Sequence, residues 1–251
     1  MDRIVLLTGA SSGIGRAIAH RLAVPGTVLV LAARRAEELA VVKAEVEAAG
    51  GSAITVVADV AKLHDINELV AATLAINGRV DVLLNVAGIG AASSISTPDE
   101  RIVQMLDINL LAPIRLMREV LVTMRAQGSG SIINIGSVAG EIGVNGVYSA
   151  TKFGLRGITD SVRREVAGTG VQVSLIEPGY IATPLTASRS AKMPGPGVVV
   201  DAVMSVLKRP RRRIIVPLRY RFAVFFATMF PLVTDRAYAG RAAKPQQPAD
   251  S

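Results

Sequence analysis

Tyr148 and Lys152 stand four residues apart in the stretch VYSATKFG, inside a run of small residues. On a helix that spacing puts the phenol and the ammonium on one face. A lysine cation beside a tyrosine hydroxyl stabilises the phenolate and lowers a pKa that ordinarily lies at about 10. A phenol so tuned gives or takes a proton near neutral pH, which is general acid–base chemistry. The same spacing also describes a plain surface Tyr/Lys pair, so the rest of the chain has to decide between the two.

Few other chemistries are open. The chain has no cysteine, which removes thiolates and disulfides, and any zinc site would need histidine and carboxylates alone. Its two histidines, His20 and His64, lie far apart in helical segments. Neither a metal centre nor a Ser-His pair is expected.

The stretch TGASSGIGRAIAHRLA offers a second chemical feature. Gly9, Gly13 and Gly15 are spaced G-x-x-x-G-x-G, with Ser11, Ser12 and Ile14 among them. Glycine permits a tight turn and a close approach of backbone to a pyrophosphate. The helix starting at Gly13 then points its positive end at the phosphates. A glycine-rich turn without a ligand is the competing reading, but this one sits between a first strand and a first helix.

The second strand ends in LAARRAEEL. An NAD site would place an acid here for the ribose 2′-hydroxyl. Arg34 and Arg35 stand there instead, and a guanidinium suits a 2′-phosphate. NADP is therefore expected rather than NAD, with one of the pair, Arg35 first, merely capping a solvated helix start.

These residues need a scaffold. Apolar runs at 3–8, 27–33, 53–58, 80–86, 130–136, 171–178 and 213–217 read as strands buried on both faces. Amphipathic stretches at 13–23, 36–49, 65–77, 99–127, 147–168 and 197–208 alternate with them. This alternation predicts an α/β fold, a doubly wound parallel sheet of about seven strands with helices on both faces. With 251 residues, half of them hydrophobic, one domain over 1–240 is expected, followed by a disordered polar tail at 241–251. No charged, apolar and cleavable leader is seen, and no apolar run approaches the roughly 20 residues of a membrane span. The expected location is the cytoplasm.

The motifs come in a familiar order. TGASSGIG, ADV at 58–60, NVAG at 85–88, Asn109, Ser137, YSATK at 148–152 and EPGYIATP at 177–184 resemble the short-chain dehydrogenases/reductases, over roughly residues 3–185. The resemblance implies a single-domain Rossmann-type fold and nicotinamide chemistry. It implies that Asp59 accepts from the adenine amino group beside the Val60 backbone. Asn85, Ala87 and Gly88 would line the adenosine side, with Asn85 chiefly stabilising the sheet. Asn109 would hold a water and distort its helix. Ser137 would hydrogen-bond the substrate oxygen, Tyr148 would exchange a proton with it, and Lys152 would bind the nicotinamide ribose and depress the tyrosine's pKa. Pro178, Gly179, Ile181 and Thr183 would meet the nicotinamide end. Val86 stands where the family often has asparagine, and the eleven residues from Ser137 to Tyr148 make a short loop that would reshape the substrate mouth. The family also implies a homodimer or homotetramer paired through 99–127 and 147–168.

Beyond Thr183 the resemblance thins, and 183–240 is expected to form a substrate lid and an apolar C-terminal segment. The loop 185–197 carries Arg189 and Lys192 and no acid. From Lys208 to Arg221 there are seven basic residues and no acid, in a chain of net charge +8. Next comes FAVFFATMFPLV (222–233), holding four of the chain's five phenylalanines. Such a segment must be covered by something apolar. It packs as a helix on the core or a sister subunit, lies at a membrane surface through 208–236, or roofs a pocket for a lipophilic alcohol or ketone. A nucleic-acid patch fits less well, because the basic cluster abuts a strand and an apolar helix with no interleaved aromatics. A non-catalytic nucleotide-binding relative is disfavoured by the intact Ser137, Tyr148 and Lys152.

Overall fold

The computed structural model describes residues 2–90, 93–187 and 193–239. Among them seven strands form one parallel sheet: β1 (Arg3–Thr8), β2 (Thr27–Ala33), β3 (Ser52–Val57), β4 (Val82–Asn85), β5 (Gly130–Ile135), β6 (Val171–Pro178) and β7 (Arg213–Val216). The spatial order is β3-β2-β1-β4-β5-β6-β7. The register aligns Leu7 with Leu31 on one side and with Leu84 on the other. The order reverses between β1 and β4, so a crevice opens at the carboxyl ends of those strands.

Strand side chains alternate, and each face acquires its own core. Val5 and Leu7 join one cluster with α1 (Gly13–Leu22), α2 (Ala36–Ala48) and α7 (Gly197–Lys208). Ile4 and Leu6 join the other with α3 (Leu63–Asn77), α5 (Ala112–Gln127) and α6 (Gly146–Glu165). On α5 the buried Leu116, Met117, Val120, Leu121 and Met124 follow helical spacing, which is why that face turns inward. Truncating a fully buried leucine such as Leu6 to alanine would cost about 2–5 kcal/mol.

The helix expected over 99–127 is not continuous. It runs as α4 (Asp99–Leu106), a π-helical turn at Asp107–Leu111, and then α5. The wider turn turns Asn109 inward, where it is 1% exposed.

The C-terminal segment departs further from expectation. It forms two short helices, α8 (Arg219–Met229) and α9 (Pro231–Tyr238). Packing on this chain's own core is not what happens. Of α8 only Val224 is buried, and Phe222, Phe225 and Phe226 stay exposed. Apolar residues fall all round α8, so one narrow line of contact with β7 cannot cover them. Arg189, Lys192 and the tail at 241–251 lie outside the described residues.

Candidate active site

The cleft at the switch point is walled by the loop between β1 and α1. Gly9 (φ +69°) has no room for a side chain, since a Cβ there would approach the Ala87 backbone at 2.8 Å. At Gly13 (φ +54°) it would meet the Thr183 side chain at 3.3 Å. Thr183, with Pro184 and Leu185, therefore closes the cleft opposite the loop. Ser12, the N-cap of α1, makes no side-chain cap, and no acid stands in the first turn. Backbone N–H donors and a positive helix end thus face a narrow cradle that side chains would fill, which fits a pyrophosphate.

Ser11, Ser12, Ile14, Gly15, Arg34 and Arg35 line the same cleft, as do Asp59, Val60, Ala87 and Gly88. The two arginines differ in an unexpected way. Arg35, assigned from sequence to the solvated helix start, donates to Ser11 Oγ at 3.1 Å and pairs with Glu38 at 3.0 Å. Arg34 lines the cleft and makes no ion pair among the described residues. Asn85 is the member of the adenosine-side set expected chiefly to stabilise the sheet. It does not line the cleft but lies 3% exposed inside the sheet, donating to Asn134 Oδ1 on β5 at 2.8 Å.

Asn109 ties the loop after β4 to α6. Its Oδ1 accepts from the Ile89 N–H at 2.9 Å, and its Nδ2 donates to the Ile89 carbonyl at 2.8 Å and to Thr151 Oγ1 at 3.3 Å. A Cβ at Gly88 would lie 3.3 Å from Asn109 Oδ1 and 3.8 Å from Lys152 Nζ. Lys152 therefore reaches the cleft at its Gly88 end. The ammonium donates to the Ile135 carbonyl at 3.0 Å and stands 5.8 Å from the centroid of the Tyr148 ring. Tyr148 in turn abuts Gly90.

Ser137 follows β5 and caps a short helical turn, accepting from the Ala139 N–H at 3.1 Å. Its hydroxyl stands near enough to the Tyr148 phenol to pull its pKa down. The rival serine, Ser149, is turned away, with its Oγ accepting from the Asn145 N–H at 3.0 Å. Ser137, Tyr148, Lys152 and Asn109 thus come together, although 43 residues part the outermost two in sequence (152 − 109). Of the nicotinamide-end set, Thr183 reaches the cleft, Pro178 ends β6 opposite Val216, and Ile181 is buried in the core. Gly179 lies beneath the ring of Tyr220, which occupies the place a Cβ would take.

The electrostatics reverse one expectation. Burial holds the Tyr148 phenol above its ordinary pKa, the Ser137 hydrogen bond works against that, and Tyr180 adds to it. Burial also brings Lys152 down to about 8. Withdrawal from water favours the neutral form of each group.

Several supporting residues escaped the sequence reading. Thr8 Oγ1 accepts from the N–H groups of Val86 and Ala87 at 3.1 and 3.2 Å, fastening the loop after β4 to the end of β1. Ser93 Oγ accepts from the Tyr148 N–H at 3.0 Å and donates to the Asn145 carbonyl at 2.6 Å. Glu177, 0% exposed, has no hydrogen-bond partner for either oxygen among the described residues and lies 3.6 Å from Arg213 Nε. Only Glu177 carried a local signal, a lone acid closing an apolar strand.

The short chain dehydrogenase family profile matches residues 3–194. A ketoacyl reductase, HetN, of Nostoc sp. is 39% identical over 226 residues, covering 85% of this chain and 78% of that protein. A 3-oxoacyl-(acyl-carrier-protein) reductase of Synechocystis sp. is 40% identical over 201 residues, covering 76% of this chain and 78% of that protein. An alcohol dehydrogenase of the archaeon Thermococcus sibiricus, solved with 5-hydroxy-NADP, superposes with a TM-score of 0.79 at 26% identity, over 86% of this chain and 96% of that one. A metagenomic short-chain oxidoreductase solved with NADP gives 0.76 at 33% identity, over 85% and 96%. With this fold, this cleft and these relatives, the chain belongs to the short-chain dehydrogenase/reductase family and is an NAD(P)-dependent oxidoreductase.

Proposed function

We propose that the protein interconverts a lipophilic ketone or aldehyde and its alcohol with NADP(H), using Ser137, Tyr148 and Lys152. The observation that carries this reading is the meeting of those three side chains at the Gly88 end of the cleft. When bound, the nicotinamide supplies or accepts the hydride, and the protein contributes position and protons. Tyr148 holds its proton firmly at neutral pH and in reduction gives it to the substrate oxygen as charge gathers there. Ser137, fixed by the Ala139 N–H, turns its own hydrogen toward the same oxygen. Lys152 would hold the ribose hydroxyls and balance the phenolate left on Tyr148. Asn109 is a positioning residue, setting the loop after β4 against α6.

Gly9, Ser11, Ser12, Gly13, Ile14 and Gly15 would hold the cofactor's phosphates, Asp59 and Val60 its adenine, and Ala87 and Gly88 its adenosine side. Arg34 favours the 2′-phosphate and so NADP over NAD, as in the two solved relatives named with it, while Arg35 braces the phosphate loop through Ser11. Pro178, Gly179, Ile181 and Thr183 shape the nicotinamide end, and the stretch 183–240 of a single domain serves as lid and substrate wall. The relatives named ketoacyl and 3-oxoacyl reductases support a carbonyl on an acyl chain. Exposed Val103, Val122 and Phe153 on α4, α5 and α6 support pairing of those helices in a homodimer or homotetramer.

A series of ketones, aldehydes and 3-oxoacyl thioesters of rising chain length, followed by NADPH absorbance, tests the reading. Rates should climb with chain length. Turnover confined to small polar sugars would refute the substrate class, and failure to take up NADPH would refute the whole.

A further inference from the structure

The helices α8 and α9 carry an apolar surface that the described residues leave uncovered. Exposure runs from 53% at Phe230 to 73% at Leu232, through Phe222, Phe225, Phe226 and Met229. The patch is continuous: Phe225 meets Phe226 edge-on at 5.9 Å, and Phe226 stacks on Phe230 at 6.0 Å. A contiguous exposed patch of this kind marks an interaction site.

The charges around it select the partner. Of the seven basic residues between Lys208 and Arg221, two are committed within the chain. Arg212 pairs with Asp160 at 2.6 Å, and Arg213 pairs with Glu141 at 2.5 Å. Lys208, Arg209, Arg211, Arg219 and Arg221 are exposed and make no ion pair among the described residues. Arg219 and Arg221 open α8 and Arg236 lies near the end of α9, so cations flank the aromatics on both sides. Asp235 is the one acid in α8 and α9.

We propose that this surface docks on an anionic phospholipid bilayer, with the phenylalanines in the headgroup–acyl boundary and the arginines on lipid phosphates. A second copy of the chain fits poorly, because packing this face on itself brings two cationic rims together with little acid to offset them. Spanning is excluded by length. The 11 residues of α8 reach about 16 Å against a hydrocarbon core of about 30 Å, and no helix among the described residues is long and apolar enough to cross. The dock is joined to the active site. Tyr220 of α8 covers Gly179, and its hydroxyl accepts from the Tyr180 N–H at 3.3 Å.

The docking does not depend on the reductase reading, and its test needs no turnover. The full chain should sediment with phosphatidylcholine vesicles only when phosphatidylglycerol is included, and high salt should release it. Arg219→Glu with Arg221→Glu should weaken that partition by at least about tenfold. The chain has no tryptophan, so Phe226→Trp introduces a single indole at the patch. Its emission should shift to the blue when anionic vesicles are added. Absence of both sedimentation and shift at low salt would overturn the proposal. So would a blue shift that appears without lipid and follows protein concentration, since a sister copy would then be the cover.

Discussion

Lys152 passes beneath Tyr148, its Nζ 5.8 Å from the ring centroid and bonded to the Ile135 carbonyl at 3.0 Å. The two side chains share one helix face, yet the ammonium's protein partner is a main-chain oxygen of β5. Lys152 is thus held by the sheet and the Tyr148 main chain by Ser93, and the pair meets at the cleft.

If Tyr148 is the proton donor, Tyr148→Phe leaves the fold and the cleft intact and removes only the transferable proton. Turnover should fall by about a hundredfold to ten-thousandfold, while NADPH affinity measured by fluorescence titration stays within a factor of a few. Near-normal turnover in this variant would remove Tyr148 from the mechanism.

The buried lysine should also be visible in stability. Its pKa is brought from the ordinary lysine range to about 8, so between about 8 and 10 the unfolded chain holds a proton that the folded chain has released. Stability from this group is therefore present at high pH and lost as pH falls through about 8, a difference of up to about 3 kcal/mol across the full range. Above about 10 the raised Tyr148 pKa opposes it, which closes the window. Urea unfolding of the ligand-free protein at pH 7.5 and 9.5 should show the rise, and Lys152→Met should abolish it. Parallel curves for the two proteins would show that the amine is not desolvated in the folded state.

The sheet and nearly all its helices were legible in the sequence because parallel strands buried on both faces leave uninterrupted apolar runs, as at Arg3–Thr8 and Thr27–Ala33. The glycine loop was legible for a similar reason, since close backbone approach admits only glycine. The π turn at Asp107–Leu111 left no mark on the apolar period that α4 and α5 share, and only the family resemblance pointed to a distortion at Asn109. The direction of the Tyr148 pKa was hidden too. Spacing reveals a neighbouring cation but not how much water the fold removes. The same holds for Phe222 to Phe230, whose composition called for a cover that the described residues do not provide.

Glu177 should act on stability in the opposite sense to Lys152. Burial and the nearby Glu141 carboxylate push its pKa up to about 8, with Arg213 pulling the other way. The folded chain then holds a proton that the unfolded chain releases above about 4.5. Stability from this group is present at low pH and lost as pH rises toward about 8. Glu177→Gln keeps the shape and removes the titration, so the variant should melt above wild type at pH 8 and lose that advantage by pH 5. A constant difference in melting temperature across that range would show that Glu177 is ionised in the folded protein throughout.

The two arginines beside the cleft should separate in cofactor titrations. Arg34 has no ion pair among the described residues to hold it, so its guanidinium is available to a 2′-phosphate, and a hydrogen bond to a charged group is worth about 1.5–3 kcal/mol. Arg34→Ala should therefore weaken NADPH binding by about ten- to a hundredfold and leave NADH binding unchanged. Arg35 is bonded to Ser11 in the phosphate loop and to Glu38 on α2, so its loss loosens the wall that both cofactors share. Arg35→Ala should weaken NADPH and NADH by similar factors. Isothermal titration with both cofactors measures the four ratios. If Arg35→Ala alone shifts the preference toward NADH, the 2′-phosphate belongs to Arg35, and the Ser11 bond gives way when the cofactor binds.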